Sequence, residues 1–296
     1  MKDESAELTM IRAMRKPPWL KKRLAPIQDL RKVSSILDHT SLHTVCQEAR
    51  CPNLSECFSN GTATILILGR ICTRNCGFCA VEHGTPGPVD EEEPERVAEA
   101  VKGMGLQYAV VTSVTRDDLP DGGASHFARM IRAVRALNRG INVEVLIPDF
   151  KGLFPSLETV LEARPDVLNH NVESIRRLYP GVRPQADYQR SLRLLKRSKE
   201  IFPRVLTKSG FMLGLGEGRE EVLGLLGDLR EAGCDLLTIG QYLQPRPDRL
   251  PVARYVPPGE FDEYERIGRE MGFMGVASGP FVRSSFDASK LFEGSG

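Results

Sequence analysis

The stretch ICTRNCGFCAV places Cys72, Cys76 and Cys79 directly behind the apolar run TATILILG. Their spacing is Cys-x3-Cys-x2-Cys, with no fourth donor in the loop. Zinc sites present two CxxC pairs, or one such pair and a later histidine pair, so this arrangement suits zinc poorly. Closely spaced thiolates are the ligands of iron–sulfur clusters, and a cubane held by only three of them leaves one iron for something other than protein. Such an iron can chelate a small molecule through nitrogen and oxygen, which turns an electron-transfer centre into a catalytic one. Upstream, LHTVCQEARCPNLSECF carries Cys46, Cys51 and Cys57 at Cys-x4-Cys-x5-Cys spacing. CPN and its polar neighbours read as loop, where inert core cysteine is not expected, so a second triplet implies a second cluster.

The whole chain supports reduced thiols. It has 296 residues, seven cysteines and a formal net charge of +1. No secretory segment and no apolar stretch long enough to span a bilayer is evident, so a cytoplasmic protein without disulfides is expected. The seventh cysteine, Cys234 in REAGCDLL, reads as a buried core thiol. A content of 41% hydrophobic and 6% aromatic residues is ordinary for a globular chain of one main domain. Near-neutral charge gives no overall pull toward nucleic acid or membrane, and neither is expected as a partner. The one local exception is RKPPWLKKR around Trp19, which reads either as a solvated arm or as a docking surface for an acidic partner.

The elements that would hold the thiols follow from periodicity. Six β-branched runs, at 62–69, 108–114, 141–147, 166–172, 204–213 and 235–241, alternate with helical-period segments. That is the pattern of βα units around a parallel sheet, apolar on both faces because helices cover it. Six units are too few for a complete eight-fold barrel, and no dinucleotide fingerprint follows the first strand. The expected fold is α/β, a partial (β/α)6 TIM-like barrel whose mouth is covered by N- and C-terminal extensions. Three segments are expected: 1–61 carrying the second triplet, 62–274 forming the barrel, and 275–296 closing it. Chemistry in such folds collects at the carboxyl ends of the strands, where the first triplet falls. The acidic run DEEEPE at 90–95 reads as a helix opening rather than a metal site.

Cys72, Cys76, Phe78 and Cys79 match CxxxCxΦC, with Φ aromatic, and here the sequence resembles the radical S-adenosylmethionine superfamily. With both triplets in view, it resembles the lipoyl synthase family in particular. KPPWLKKRL, LHTVCQEARCPNLSECF, VTSVTRDDLPDGGASHF, LNHNVES, TKSGFMLGLGE, TIGQYLQP and SGPFVRSSF follow the family's motifs in order, covering residues 16–286. The resemblance implies two [4Fe-4S] clusters and S-adenosylmethionine, the latter on the cluster of Cys72, Cys76 and Cys79. It implies a second, auxiliary cluster on Cys46, Cys51 and Cys57, with a fourth ligand from the C-terminal RSSY motif. This chain has Arg283, Ser284, Ser285 and Phe286 there, and Ser285 is the expected ligand, Ser284 the alternative. Phenylalanine in place of tyrosine removes a hydroxyl and keeps both serines.

The implied reaction is insertion of two sulfur atoms at carbons 6 and 8 of an octanoyl group bound to a carrier protein, the auxiliary cluster giving up its sulfide. Those C–H bonds have no acidic proton, so a radical cofactor must break them. The implied carrier is a 2-oxoacid dehydrogenase E2 lipoyl domain or the glycine cleavage H protein. A ferredoxin or flavodoxin electron donor and an iron–sulfur cluster carrier are implied as well. Gly122 and Gly123 stand where the superfamily binds the methionine amino group through backbone. Asn171, Glu173 and Arg183 are candidates for adenosine and methionine contacts, with Lys208 and Ser209 after them, capping or surface roles being the alternative. His43, His126 and His170 lack ligand spacing and read as structural. Rival readings are a methylthiotransferase or biotin-synthase-like sulfur inserter, and a non-enzymatic iron–sulfur carrier. The second triplet and C-terminal serines favour the lipoyl synthase resemblance.

Overall fold

The structure, a computed structural model, describes residues 15–22 and 24–294; the first fourteen residues, Arg23 of the basic cluster and the last two residues lie outside it. In chain order the strands are β1 (His43–Thr44), β2 (Ile65–Ile67), β3 (Ile71–Cys72), β4 (Glu82–His83), β5 (Tyr108–Ser113), β6 (Asn142–Leu146), β7 (Val167–Asn169), β8 (Leu206–Leu213), β9 (Leu236–Gln241) and β10 (Gly275–Gly279). The helices are α1 (Ile27–Thr40), α2 (Val45–Glu48), α3 (Leu54–Ser59), α4 (Glu93–Met104), α5 (Ala124–Leu137), α6 (Phe154–Glu162), α7 (Tyr179–Val182), α8 (Tyr188–Ile201), α9 (Arg219–Glu231), α10 (Pro258–Glu270) and α11 (Ala288–Glu293).

One sheet runs β1-β2-β5-β6-β7-β8-β9-β10, and β3 pairs only with β4. Every pairing from β2 to β10 is parallel, while β1 is antiparallel to β2. The six expected strands are all present. A seventh parallel strand, β10, was not expected: GVASG is rich in small residues and lacks the β-branched run that marks the others. It pairs with β9 from Gly275↔Leu236 to Gly279↔Gly240. The stretch read as the start of a C-terminal extension therefore lengthens the sheet, which stays open between β10 and β2.

The covering helices read as the sequence suggests. In α4, Val97, Val101 and Met104 recur on one buried face, and Gly105 ends the helix at φ 72°. Glycine takes that left-handed turn without a steric penalty. The helical-period stretch after β7 is broken: Asp187 caps α8 by accepting the Arg190 N–H, and Pro180 and Pro184 stand just before it. Helices α4, α5 and α6 pack against β2, β5, β6 and β7 through Val97, Phe127, Ile131, Val143, Val145 and Leu157, all essentially inaccessible. A second apolar cluster joins β8 and β9 to α9 and α10. Each such aliphatic side chain contributes about 1.5–3 kcal/mol on burial.

The extensions reach further than the barrel mouth. Segment 280–286 crosses the carboxyl end of β9, and α11 then packs against β5 and β10, with the Phe292 ring 5.4 Å from that of Tyr108. A Cβ on Gly275 would lie 2.9 Å from Leu291, at the amino end of β10. The C-terminal chain thus runs along the open side of the barrel from one end toward the other. Among the described residues no helix is long and apolar enough to cross a membrane.

Candidate active site: two thiol triplets on one open barrel

Strand β2 delivers the first triplet. Leu68 follows it with φ 66° and Gly69 with φ 89°, a pair of left-handed residues that turns the chain outward at the carboxyl end. The freed Leu68 N–H donates to Glu93 Oε2 at 2.8 Å, and the same oxygen meets His126 Nε2 at 2.8 Å. Glu93, which opens α4 as the sequence suggests, is also buried and holds the turn.

The loop itself is clamped from three sides. Gly77 N–H donates to Val182 O and its carbonyl accepts from Leu250 N–H. A Cβ there would stand 2.6 Å from Gly181 O, so the close approach requires glycine. Asn75 N–H donates to Gln185 Oε1 at 2.7 Å, and Arg249 Nη1 to Asn75 Oδ1 at 2.6 Å. Arg74, between the first two thiols, is buried and forks onto Asp117 at 2.7 and 2.9 Å and onto Asp149 at 2.7 Å. Burial alone would raise the Asp149 pKa, but the Arg74 hydrogen bonds and charge hold it well below the carboxylate range. Arg74, Asp117, Asp149 and Arg249 were missed by sequence reasoning; an arginine inside the triplet beside an Asp-Asp pair was the only available signal.

The sulfurs carry few donors and much burial. Cys72 Sγ accepts N–H groups from Arg74 at 3.4 Å and Thr115 at 3.3 Å, bonds of the kind that tune a cluster's potential. Burial pushes the Cys79 thiol up to about 12 and raises Cys76 as well. A buried thiol set of this kind becomes thiolate when a cation binds it. Asn171, Glu173 and Arg183 are brought together beside it. Arg183 Nη1 donates to Asn171 O at 2.8 Å, and Glu173 pairs with the Asn171 side chain. Burial raises the Glu173 carboxyl, opposed by the Arg183 charge, and Glu173 in turn acts on Cys76 and Cys79. Glu173 holds φ 65°, a strained conformation that places its carboxylate where β7 and β8 converge. Asn171 Oδ1 and Arg183 Nε are buried without a partner, an unsatisfied acceptor and donor, and the Arg183 charge acts on Cys76. Gly210 makes this possible, since a Cβ there would sit 3.1 Å from Asn171 Oδ1 and 2.3 Å from Thr238 Oγ1.

Two expected contact groups have other engagements. Lys208 is fully buried, with Nζ 3.0 Å from both Glu144 oxygens. The same carboxylate accepts from Tyr108 OH at 2.7 Å and Asn169 Nδ2 at 2.9 Å. Lys208 thus lies in a four-residue network across β5, β6, β7 and β8, because a lysine in that position needs a buried counter-charge. Ser209 donates no contact to the triplet and accepts the Val172 N–H at 3.3 Å. Gly122 and Gly123 have φ 63° and 90°, and Cβ atoms there would meet the Phe150 ring at 2.9 Å and Leu68 at 2.3 Å. Their immediate constraint is the turn into α5, where Asp121 accepts the Gly123 and Ser125 N–H groups.

The second triplet lies toward the other end of β2. A cleft partly open to solvent is lined by Cys46, Cys51, Cys57, Thr64, Tyr108, Arg283 and Ser285 among others. Ser285 lines it with the three thiols, whereas Ser284 does not. Val45 N–H bonds Thr64 O, and Thr64 also donates to Cys46, so the strand that carries the first triplet anchors the second. Burial pushes Cys46 to about 11 and Cys57 to about 12, each further raised by its sister thiols. Asn53 Nδ2 donates to Phe281 O at 2.7 Å, tying this loop to the C-terminal segment. Lys22 Nζ donates to Asn53 Oδ1 at 2.7 Å, pairs with Glu56, and lies 4.9 and 5.1 Å from the Phe281 and Phe286 ring centroids. The phenylalanine at 286 keeps the aromatic face that this cation uses. Arg283 sits in the space left by Gly240, between Cys51 and Glu173. Among the described residues no three His, Cys, Asp or Glu donors converge as one ion requires. Each set offers three soft donors, and the second has the Ser285 hydroxyl beside it.

An open parallel barrel with a three-thiol loop after its first strand defines a radical S-adenosylmethionine protein, and the model of the Radical SAM superfamily matches residues 66–229. Solved structures agree in fold: HydG, a maturase of the [FeFe]-hydrogenase, covers 84% of this chain and 64% of its own at TM-score 0.58 and 17% identity. Streptococcus suis SuiB bound to S-adenosylmethionine covers 69% and 46% at TM-score 0.53 and 12% identity. Curated relatives are far closer in sequence. Lipoyl synthase of Caldanaerobacter subterraneus subsp. tengcongensis is 58% identical over 93% of this chain and 96% of its own. The lipoyl synthases of Rubrobacter xylanophilus and Haemophilus influenzae are 58% and 54% identical over 94% and 93% of this chain, each covered to 87%. The chain belongs to the lipoyl synthase family, radical S-adenosylmethionine enzymes that insert sulfur and use [4Fe-4S] clusters.

Proposed function

We propose that Cys72, Cys76 and Cys79 hold the cluster that receives S-adenosylmethionine, and that Cys46, Cys51, Cys57 and Ser285 hold the auxiliary cluster. The observation that carries this division is the different company of the two sets. Unpaired Asn171 Oδ1 and Arg183 Nε stand by the first, matching the polar groups of a methionyl nucleoside, and a serine stands by the second. When bound, these groups supply a 5′-deoxyadenosyl radical for each C–H bond at carbons 6 and 8 of an octanoyl chain and the sulfide that replaces it.

The chain's own work is positional. Arg183 and Glu173, opposite charges close together, suit the carboxylate and ammonium of a methionine moiety. Arg74, Asp117 and Asp149 keep the first loop rigid, so that the reactive carbon and the acyl chain stay within attack distance. The C-terminal segment and α11 close the open side of the barrel and keep water from it. Ser285 offers a hard oxygen among sulfurs, the bond most readily released when the auxiliary site must open. On this reading residues 1–61 carry the auxiliary site, the barrel that begins at 62 runs on through β10 to 279, and the residues after β10 close it. The substrate is an octanoylated E2 lipoyl domain or H protein, served by a ferredoxin or flavodoxin and by a cluster carrier, in the cytoplasm.

Anaerobically reconstituted protein is expected to bind about eight irons, and to add two sulfurs to an octanoylated carrier given S-adenosylmethionine and reductant. Mass spectrometry of the carrier decides it. Cys51→Ala should still yield 5′-deoxyadenosine while leaving the carrier mass unchanged, and Cys76→Ala should yield neither; the reverse pattern overturns the division.

A further inference from the structure

The stretch from residue 15 to 28, RKPPWLKKRLAPIQ, holds five basic residues and no acidic one in a chain of net charge +1. One of them is turned inward: Lys22 fixes the segment to Asn53, Glu56, Phe281 and Phe286, and Asn53 and Phe286 themselves line the auxiliary cleft. Other described side chains of the stretch point outward. Leu24 is 79% and Ile27 78% exposed, the two most exposed large apolar side chains of the described residues, and Trp19 is 39% exposed. Arg15, Lys16, Lys21 and Arg31 are exposed, and Lys16, Lys21 and Arg31 have no ion-pair partner among the described residues. The basic stretch is therefore not a free arm. It is pinned beside the active-site cleft by Lys22, by the buried Leu20 and by the Ala25 N–H on Ser55 Oγ, and presents other apolar and cationic side chains to solvent.

We propose that this segment is the docking surface for the carrier protein, and that it receives an acidic face of that domain. The inference rests on the reading above, in which the acyl chain arrives on a folded carrier. A folded domain cannot follow its acyl arm into the barrel, so its surface must rest on protein beside the cleft. Charge complementarity selects an acidic occupant, steering its approach, and Trp19, Leu24 and Ile27 supply the apolar contact that retains it. Lys22 couples the two sites mechanically, because its partners belong to the loop and the tail that enclose the second triplet.

The test separates docking from chemistry. Binding of a fluorescein-labelled octanoylated carrier domain to the reconstituted holoenzyme is followed by anisotropy, with Lys16→Glu/Lys21→Glu and Trp19→Ala beside the unmodified chain. Charge reversal is expected to weaken binding about tenfold at low ionic strength, with the difference shrinking as salt rises. Trp19→Ala should weaken it at every salt concentration. A short octanoyl-lysyl peptide, which lacks a folded surface, should be converted at the same single-turnover rate by all three proteins. Unchanged carrier binding, or equal loss on carrier and peptide, overturns the proposal. So does tighter carrier binding after deletion of residues 1–14, or a dimer that Lys16→Glu/Lys21→Glu disperses, since either assigns the surface to another occupant. Failure of the reaction reading shows differently, as carrier that binds through these residues and gains no sulfur.

Discussion

At the scale of single residues, burial decides what a charged group does. Lys208 was expected to reach S-adenosylmethionine, yet its ammonium is held by Glu144, which also takes Tyr108 OH and Asn169 Nδ2. A cation inside the barrel must find a counter-charge before it can serve a ligand. Lys208→Met should therefore cost about 3–5 kcal/mol, by leaving a buried carboxylate half satisfied. Adding Glu144→Gln should restore a good part of that loss, a coupling readable from a double-mutant cycle in denaturant. Cofactor binding by the folded variants should be little changed; a stability cost near zero, or loss of S-adenosylmethionine binding alone, would return Lys208 to the cofactor. Glu173 and Arg183 answer to the same rule with the opposite outcome, because their neighbours leave Asn171 Oδ1 and Arg183 Nε unpaired.

At the scale of elements, the C-terminal segment is what the second triplet depends on. A Cβ on Gly240 would stand 2.2 Å from Val282 O and 3.1 Å from Arg283 Nη1. The first of these is backbone and cannot rotate away, so Gly240→Ala should push segment 281–286, and Ser285 with it, off the cleft. The expected result is loss of about half the iron after reconstitution, with 5′-deoxyadenosine formation retained. Full iron content in that variant would show that the segment is not needed to hold the auxiliary site. Strand β10, which launches the segment, escaped the sequence for a related reason. Small residues let it lie under α10, where Gly268 meets Val276, and small residues carry no strand signature. The six other parallel strands carry one and were legible, within three residues at each end.

At the scale of the whole molecule, the barrel halves are tied through a buried histidine. His170 Nδ1 meets Ile147 O and Nε2 meets Ser191 Oγ, both at 2.9 Å, joining β6, β7 and α8. Burial lowers its pKa from 6.5 to about 4, so the folded state keeps it neutral. The unfolded chain binds the proton first as pH falls, so this contribution is present above about 6.5 and lost on the way to 4, amounting to about 3 kcal/mol. Urea midpoints between pH 7.5 and 5 should fall for the unmodified protein and less steeply for His170→Gln; parallel slopes would remove His170 as the cause. Thiol spacing, the β-branched strand runs and the Arg-Ser-Ser tail were readable in the chain because they are local: ligand types, short apolar runs, a short motif. Only the tertiary structure decided that Ser285 and not Ser284 lines the cleft of Cys46, Cys51 and Cys57, that Arg74 is locked by Asp117 and Asp149, and that Lys208 belongs to Glu144. Those pairings join residues separated by dozens to hundreds of positions, and which buried charge meets which is settled by how the sheet curls and where the tail crosses it. Local propensity carries no record of either.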